Sequence, residues 1–126
     1  MKVFLNPGHA PGGYPDPGAV SNETGLRECD VVLAVGKATE CYLNGAGVQT
    51  GLLQSDSLTE ICEAANASDA DIFVSLHCNA AVAEEANGTE TWACAGSYHG
   101  KLLANCIQAQ VVDALGTTDR GVKIAT

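Results

Sequence analysis

Apolar residues recur along the chain with two different periods, and together these predict alternating strands and helices. Short apolar runs at Val3–Leu5 and Ile72–Leu76 predict strands, the first of them buried on both faces. Apolar residues spaced three and four positions apart predict one helix from Leu26 to Leu43 and another from Ser97 to Leu115. A glycine follows each helical pattern within two residues and is expected to end it.

Shorter signals fill the intervals between these elements. They predict strands at Val48–Thr50 and Thr89–Cys94, a helix from a capping box at Ser57–Glu60 to about Ala67, a loop at Asn79–Asn87, and a turn with the start of a strand at Thr117–Thr126. Strands that alternate with helices indicate an α/β fold. We therefore expect residues 1–126 to form a single domain with an open, twisted, mixed but largely parallel sheet flanked by helices.

The loop after the first strand combines stiffness with room for close backbone approach. All four prolines of the chain lie between residues 7 and 17, and glycines are interspersed among them. His9 lies in this loop just past the first strand, and His77 follows the strand at 72–76 in the same way. Because open α/β sheets bind ligands at the carboxyl ends of their parallel strands, both imidazoles are expected to reach one crevice.

The acidic composition of the chain argues against two classes of binding partner, nucleic acids and membranes. The 126 residues include 15 acidic and 6 basic side chains, and the resulting net charge of −9 repels nucleic acid and anionic lipid. No apolar stretch approaches the ~20 residues of a membrane span, and the N-terminus has no pattern of a secretory signal peptide. We therefore expect neither nucleic acid nor a membrane as partner.

The six cysteines are scattered and include no C-x-x-C pair, which argues against a cysteine zinc site. We expect free thiols that pack mostly in the core as small hydrophobic groups. Cys78 follows His77 on an extended segment, so its side chain is expected to point to the opposite face and into the core. His99 is expected on an exposed helix surface. Trp92 either packs against neighbouring side chains or lines a groove.

Two histidines and one carboxylate on separate elements form a ligand set that suits zinc and leaves a fourth position for water. The carboxylate could come from Asp16, Glu23 or Glu28. In a purely structural alternative, His9 caps its loop, His77 is a hydrogen-bonded residue at a strand end, and Glu28 complements a helix dipole. Composition and spacing leave both interpretations open.

Seven short motifs, in the same order along nearly the whole chain, resemble the type 3 family of zinc-dependent N-acetylmuramoyl-L-alanine amidases. This family supplies the catalytic domain of bacterial cell-wall hydrolases and phage lysins. The motifs are N-P-G-H at 6–9, D-P-G-A-V at 16–20, G-L-R-E-C-D-V-V-L-A at 25–34, A-A-N at 64–66, D-I-F-V-S-L-H-C-N-A at 71–80, G-T-E-T-W at 88–92 and D-R-G-V-K at 119–123.

The resemblance implies a function and a set of site residues. His9, Glu28 and His77 match the family's three Zn²⁺ ligands, and Asn79 matches an asparagine that shapes the substrate pocket. The implied reaction is hydrolysis of the amide between N-acetylmuramic acid and L-alanine of the stem peptide by zinc-activated water. The implied partner is peptidoglycan, and the implied place of action is the cell wall, outside the cell.

Two features depart from the family pattern. Ile61 stands where the family usually carries an arginine, and because the role of that arginine is structural, its loss is expected to put little about the function in doubt. Family members also continue beyond D-R-G-V-K into a segment that carries the general-base glutamate, which here would lie beyond Thr126. The catalytic base is therefore unknown from this sequence, with Glu23 on the His9 loop as a substitute candidate.

Two expectations follow from the missing segment. The alternative to an active amidase is a truncated, catalytically impaired domain that binds zinc and peptidoglycan. The sheet would also have an uncovered edge, which invites self-association. Of the remaining acids, Asp16 could approach the metal, whereas Glu90 is expected to point across the sheet.

Overall fold

The computed structural model describes residues 1–80 and 86–126, so most of the loop expected at 79–87 lies outside the described residues. Strands and helices alternate in the order β1 (Lys2–Pro7), a 3-10 turn (Pro11–Gly13), α1 (Glu28–Gly45), β2 (Gln49–Leu52), α2 (Leu58–Ala67), β3 (Ile72–Leu76), β4 (Thr89–Cys94), α3 (Tyr98–Leu115) and β5 (Asp119–Ala125). The chain divides into two compact units, Met1–Ala80 and Ala81–Thr126, which are described one at a time.

The first unit is built on a three-stranded parallel sheet in the order β2-β1-β3. The central strand is β1, in which Val3 pairs with Thr50 of β2 on one side and with Ile72 of β3 on the other. The apolar run of β1 is buried on both faces, as predicted, and Leu5 is 1% exposed. Burial of a leucine side chain contributes about 1.5–3 kcal/mol to stability. Because β1 is central in the sheet and buries Val3, Phe4 and Leu5, it forms the core of this unit.

Helix α1 packs against β1 and β2 of this sheet, and α2 contributes the buried side chain of Ile61. The buried stripe of α1 comprises Glu28, Cys29, Val32 and Gly36, and it lies in the first half of the helix. At the start of α2, the hydroxyl of Ser57 accepts a hydrogen bond from the Glu60 N–H at 3.2 Å, as the capping box predicts. The reciprocal half of the capping box differs, because the Glu60 carboxylate accepts from the Ser55 hydroxyl at 2.5 Å.

The second unit pairs β4 with β5 in parallel and packs α3 against both strands. Gln108 of α3 is 4% exposed and joins the three elements. Its Nε2 donates to the Thr89 carbonyl at 2.6 Å and to Asp119 Oδ1 at 2.7 Å, and its Oε1 accepts from the Thr91 hydroxyl at 2.8 Å. Because every polar atom of this buried amide is used, Gln108 fixes the helix relative to the two strands.

The α/β class and the parallel pairing of the strands are confirmed, and the described strands lie in two sheets. The bounds of β3 and β4 are as predicted, the other helices and strands differ by a few residues at their ends, and β5 is a full strand rather than only the start of one. None of the helices in the described ranges combines the length and the apolar character needed to cross a membrane.

Two predictions about burial are wrong. The cysteines are free, as expected, but only Cys29 is buried and the other five are exposed. Cys78 is among the exposed ones, because β3 ends at Leu76 and strand alternation does not continue past it. Trp92, for which packing and a groove were both left open, is 58% exposed, and His99 is exposed as expected.

Candidate metal centre

His9 is delivered by the end of β1. The Gly8 N–H donates to the Leu76 carbonyl at 2.9 Å, so backbone pairing with β3 continues one residue past the strand. His9 itself has φ = +67°, in the left-handed region that few side chains occupy without a compensating contact. The chain therefore turns sharply at the strand end, and the imidazole is set beside the carboxyl end of β3.

His77 follows β3, and its imidazole lies against the backbone of Gly8, the residue before His9. A Cβ added at Gly8 would lie 2.6 Å from His77 Nδ1, so only glycine leaves room for the imidazole there. The two rings meet edge to face, with centroids 5.0 Å apart. The expectation that two parallel strands bring both imidazoles to one crevice is confirmed.

Glu28, the first residue of α1, places a buried carboxylate beside the two histidines. Its side chain is 4% exposed. Oε2 accepts a hydrogen bond from the Ala19 N–H at 2.9 Å, and Oε1 accepts one from the Cys78 N–H at 2.7 Å. Burial alone would raise the pKa of Glu28, but these two N–H groups, the charge of His9 and the contact with His77 outweigh it and leave the pKa lowered. Glu28 is therefore held as an anion.

The ligand atoms of these three side chains converge. His9 Nε2 lies 3.0 Å and His77 Nδ1 lies 3.1 Å from Glu28 Oε1, and the two imidazole nitrogens are 3.3 Å apart. Three atoms that all carry lone pairs repel one another at such distances unless a cation or shared protons lie between them. Together they form a group that could hold a metal ion.

The distances fit a small tetrahedral ion. With bonds of about 2.0–2.1 Å, two ligands of a tetrahedral zinc ion are roughly 3.3 Å apart. The three separations observed here, 3.0, 3.1 and 3.3 Å, are close to that value. Two imidazoles and one carboxylate are also among the donor sets that zinc accepts. The residues therefore fit the metal that the sequence resemblance implies.

Asp16 lies behind His9 rather than beside Glu28. Its Oδ2 is 2.7 Å from His9 Nδ1, and its Oδ1 accepts from the Gly18 N–H at 2.9 Å. The hydrogen bond to Asp16 is the main reason that the pKa of His9 is raised, and burial opposes it only in part. The same hydrogen bond and the Gly18 N–H lower the pKa of Asp16. Of the three acids that the sequence offered, Asp16 thus contacts a candidate ligand from its far side.

Two further residues brace the segments that carry the site. Nε2 of the buried Gln54 donates to the carbonyls of Gly8 and Cys29, both at 2.9 Å, and thereby links the residues next to His9 and Glu28. Arg27 donates to the Gly12 carbonyl at 3.0 Å and ties the loop to the start of α1. Sequence reasoning missed Gln54, because a lone glutamine after a short strand carries no signal of such a contact.

The other residues singled out from the sequence are not among the three grouped ligands. Glu23 is exposed in a turn, and Asn79 is exposed two residues beyond His77. Glu90 lies in the second unit, where it accepts from the Trp92 indole N–H at 3.0 Å and pairs with Arg120 at 3.5 Å.

Two cavities adjoin the cluster. One, of about 280 Å³, is bordered by Glu28 and lined mainly by aliphatic side chains, among them Val20, Leu26 and Val31. The other, of about 300 Å³, is bordered by His9 and His77 and also includes Asp16 and Asp56. A ligand in either cavity would therefore reach atoms of the His–Glu–His group.

A comparison with protein families decides the relationship. The model of the family described as N-acetylmuramoyl-L-alanine amidase matches residues 3–126. The chain belongs to this amidase family. The family identified from the sequence motifs is thereby confirmed.

Individual relatives agree with this assignment. Over 98% of its length, this chain is 38% identical to N-acetylmuramoyl-L-alanine amidase LytC of Bacillus subtilis, and over 96% of its length it is 41% identical to the uncharacterized protein YqiI of the same organism. Its fold matches the crystal structure of N-acetylmuramoyl-L-alanine amidase from Clostridium difficile 630 with a TM-score of 0.85 and 31% identity, covering 99% of the chain and 69% of that structure. The chain spans 25% of LytC and 59% of YqiI.

Proposed function

We propose that this chain is the zinc-binding part of a peptidoglycan hydrolase that cleaves the amide between N-acetylmuramic acid and L-alanine of the stem peptide. The observation that carries the proposal is the convergence of His9 Nε2, Glu28 Oε1 and His77 Nδ1 within 3.0–3.3 Å of one another. The structural alternative, three unrelated residues with local roles, gives no reason for that convergence. Membership of the amidase family supplies the reaction.

The contacts of Glu28 and of His9 favour this role. Glu28 is held as a carboxylate by its two backbone N–H donors, so it offers a charged oxygen to a cation without prior loss of a proton. Asp16 engages Nδ1 of His9, which leaves Nε2 to face Glu28. When bound by these residues, zinc would supply a Lewis acid for the amide carbonyl and would make water more acidic.

The surroundings of the cluster offer room for a glycopeptide. The aliphatic cavity beside Glu28 suits the small apolar groups on either side of the amide, and the polar cavity beside His9 suits hydroxyl or amide groups. Asn79 is proposed as a substrate contact because it follows His77 closely and is exposed. Such a substrate places the enzyme's action at the cell wall, outside the cell.

A second candidate function is zinc and peptidoglycan binding without turnover by these 126 residues. The mechanism that the family resemblance implies uses a carboxylate within reach of the attacking water as the general base. Among the described residues, Asp16 is occupied by His9 and Gly18, Glu90 by Trp92 and Arg120, and Glu23 is exposed in a turn. Glu23 remains the proposed substitute base, since its turn belongs to the loop that also carries Asp16.

Metal analysis tests the ligands. The purified chain should bind about one equivalent of zinc, and His77→Ala should abolish that binding because one of three protein ligands is lost. His99→Ala is the matched control, since His99 is exposed on α3 and should leave the stoichiometry unchanged. Full zinc content in His77→Ala would show that the ligands are different.

A turnover assay separates the two candidate functions. Hydrolysis of purified peptidoglycan should release stem peptides with a new L-alanine amino group, and a chelator should stop the release. Chelator-sensitive release supports the amidase, and its loss in Glu23→Gln with zinc retained would identify the base. Zinc binding and peptidoglycan binding without release would instead support the second candidate.

A further inference from the structure

We propose that Asp16 is a positioning residue that selects the tautomer of His9 in which Nε2 is free to bind the metal. The inference rests on the proposed metal centre, since it assigns a role toward that ion. It starts from a contact outside the ligand group, between Asp16 Oδ2 and His9 Nδ1 at 2.7 Å.

The carboxylate is itself fixed in place. Its second oxygen, Oδ1, accepts from the Gly18 N–H at 2.9 Å, and the Asp16 carbonyl accepts from the Ala10 N–H at 2.9 Å. The loop thus presents an acceptor to His9 from a rigid position. Because a carboxylate can only accept, the hydrogen of a neutral imidazole must sit on Nδ1, and the lone pair of Nε2 is left facing Glu28 and His77.

Among the residues that the structure describes, no other contact of His9 dictates this choice. Nε2 lies 3.0 Å from Glu28 Oε1 and 3.3 Å from His77 Nδ1, and a hydrogen on Nε2 would be well accepted by Glu28. Without Asp16, the metal-free site would therefore favour the tautomer that cannot bind an ion through Nε2. Asp16 opposes that preference from the other side of the ring. Partners of this kind typically contribute 10–100-fold to metal affinity.

The variant Asp16→Asn makes the idea testable, because asparagine has one acceptor oxygen where Asp16 uses two. The Gly18 N–H cannot change, whereas an imidazole can move its hydrogen from one nitrogen to the other. We expect the amide oxygen to stay with Gly18 and the amide NH₂ to donate to His9 Nδ1, which puts the hydrogen on Nε2. Asp16→Ala removes both contacts, so only the preference that Glu28 gives to a hydrogen on Nε2 remains, without the second push that a donating amide would add.

The first measurement is the tautomer itself, by ¹⁵N NMR of the metal-free protein at a pH at which the imidazoles are neutral. His9 should carry its hydrogen on Nδ1 in the parent chain and on Nε2 in Asp16→Asn. The second measurement is zinc affinity by competition with a chelating indicator. Zinc should bind Asp16→Asn roughly 10–100-fold more weakly than the parent chain, with Asp16→Ala in between.

This order separates a positioning role from a merely structural one, since loss of packing alone would harm Asp16→Ala more than Asp16→Asn. Asp56→Asn is the control for charge, because Asp56 lines the same cavity but is not bonded to His9 in the described structure. It should leave the tautomer and the affinity unchanged. An Nε2–H tautomer in the parent chain would overturn the proposal, and so would parent-like affinity in Asp16→Asn. If the parent bound no zinc, the metal centre would fail, while the tautomer measurement would still decide the role of Asp16.

Discussion

Gly18 is a position at which one added methyl group should disturb two candidate ligands of the site. A Cβ placed there would lie 2.6 Å from His9 Cδ2, 2.7 Å from Glu28 Oε2 and 2.8 Å from Glu28 Cβ. These atoms belong to two candidate ligands at once, and Glu28 is fixed by two backbone hydrogen bonds. Gly18→Ala therefore has to push the ligands apart by roughly 1 Å to reach the ~3.5 Å separation of ordinary contacts.

A matched variant isolates this steric effect from backbone strain. Gly25 has φ = +73°, almost the +71° of Gly18, but a Cβ added at Gly25 would meet nothing within 4 Å. Both alanine variants should lose about 1 kcal/mol because alanine is strained in the left-handed region. Only Gly18→Ala should lose a further ~1–3 kcal/mol from overpacking.

Thermal unfolding and zinc titration read out the difference. For a chain of 126 residues, 1 kcal/mol corresponds to roughly 4 °C in Tm. Gly25→Ala should melt about 4 °C lower with unchanged zinc affinity, whereas Gly18→Ala should melt about 8–15 °C lower and bind zinc at least about tenfold more weakly. If Gly18→Ala bound zinc as tightly as Gly25→Ala does, the ligand geometry inferred here would be wrong.

Three other predictions address the ligand, the acid stability and the assembly of the chain. Zinc at about 100 times its Kd should raise Tm by roughly 10 °C. Glu28→Gln should abolish that rise and Glu23→Gln should retain it. The opposite result in thermal melts would make Glu23 the ligand. Hydrogen bonds from Gln108 and the Gly121 N–H hold the pKa of Asp119 below its ordinary 3.8. The ionised carboxylate therefore stabilises the folded chain above pH 3.8, and this stabilisation is lost as the pH falls through the lowered pKa. Asp119→Asn should therefore reduce the loss of Tm seen below about pH 4, and an unchanged acid profile would contradict this. In the described part of the chain β5 pairs with β4 alone, so light scattering should detect self-association, and a strict monomer at high concentration would refute it.

The sequence predicted best those elements for which the residue types of a short segment determine the structure. β1 reads as an apolar run because it is the central strand of a parallel sheet, and both faces of such a strand are covered by packed side chains. The end of α3 was predictable because Gly116 adopts φ = +63°, which glycine tolerates and other residues avoid. In both cases the residue types carry the physical reason for the structure.

Cysteine burial shows where that reasoning stops. Cys41 fits the three- and four-residue spacing of α1, yet it is exposed because the buried stripe of the helix ends at Gly36. How far along a helix the covering layer extends depends on the length and position of the strands beneath it. The spacing of apolar residues identifies which face of a helix is buried, but it does not show at which residue the burial of that face ends.

The roles of the carboxylates in the site could not be predicted from the sequence alone. The sequence offered Asp16, Glu23 and Glu28 as equivalent acids, and the family resemblance chose Glu28. What distinguishes Asp16 from Glu28 in the structure is the path of the backbone: Asp16 reaches His9 Nδ1, whereas Glu28 reaches Nε2 of the same ring. The two nitrogens are about 2 Å apart, a distance that no spacing along the sequence resolves. A metal ligand and the residue that prepares it can therefore share one residue type and one loop, and only the folded chain assigns them their different tasks.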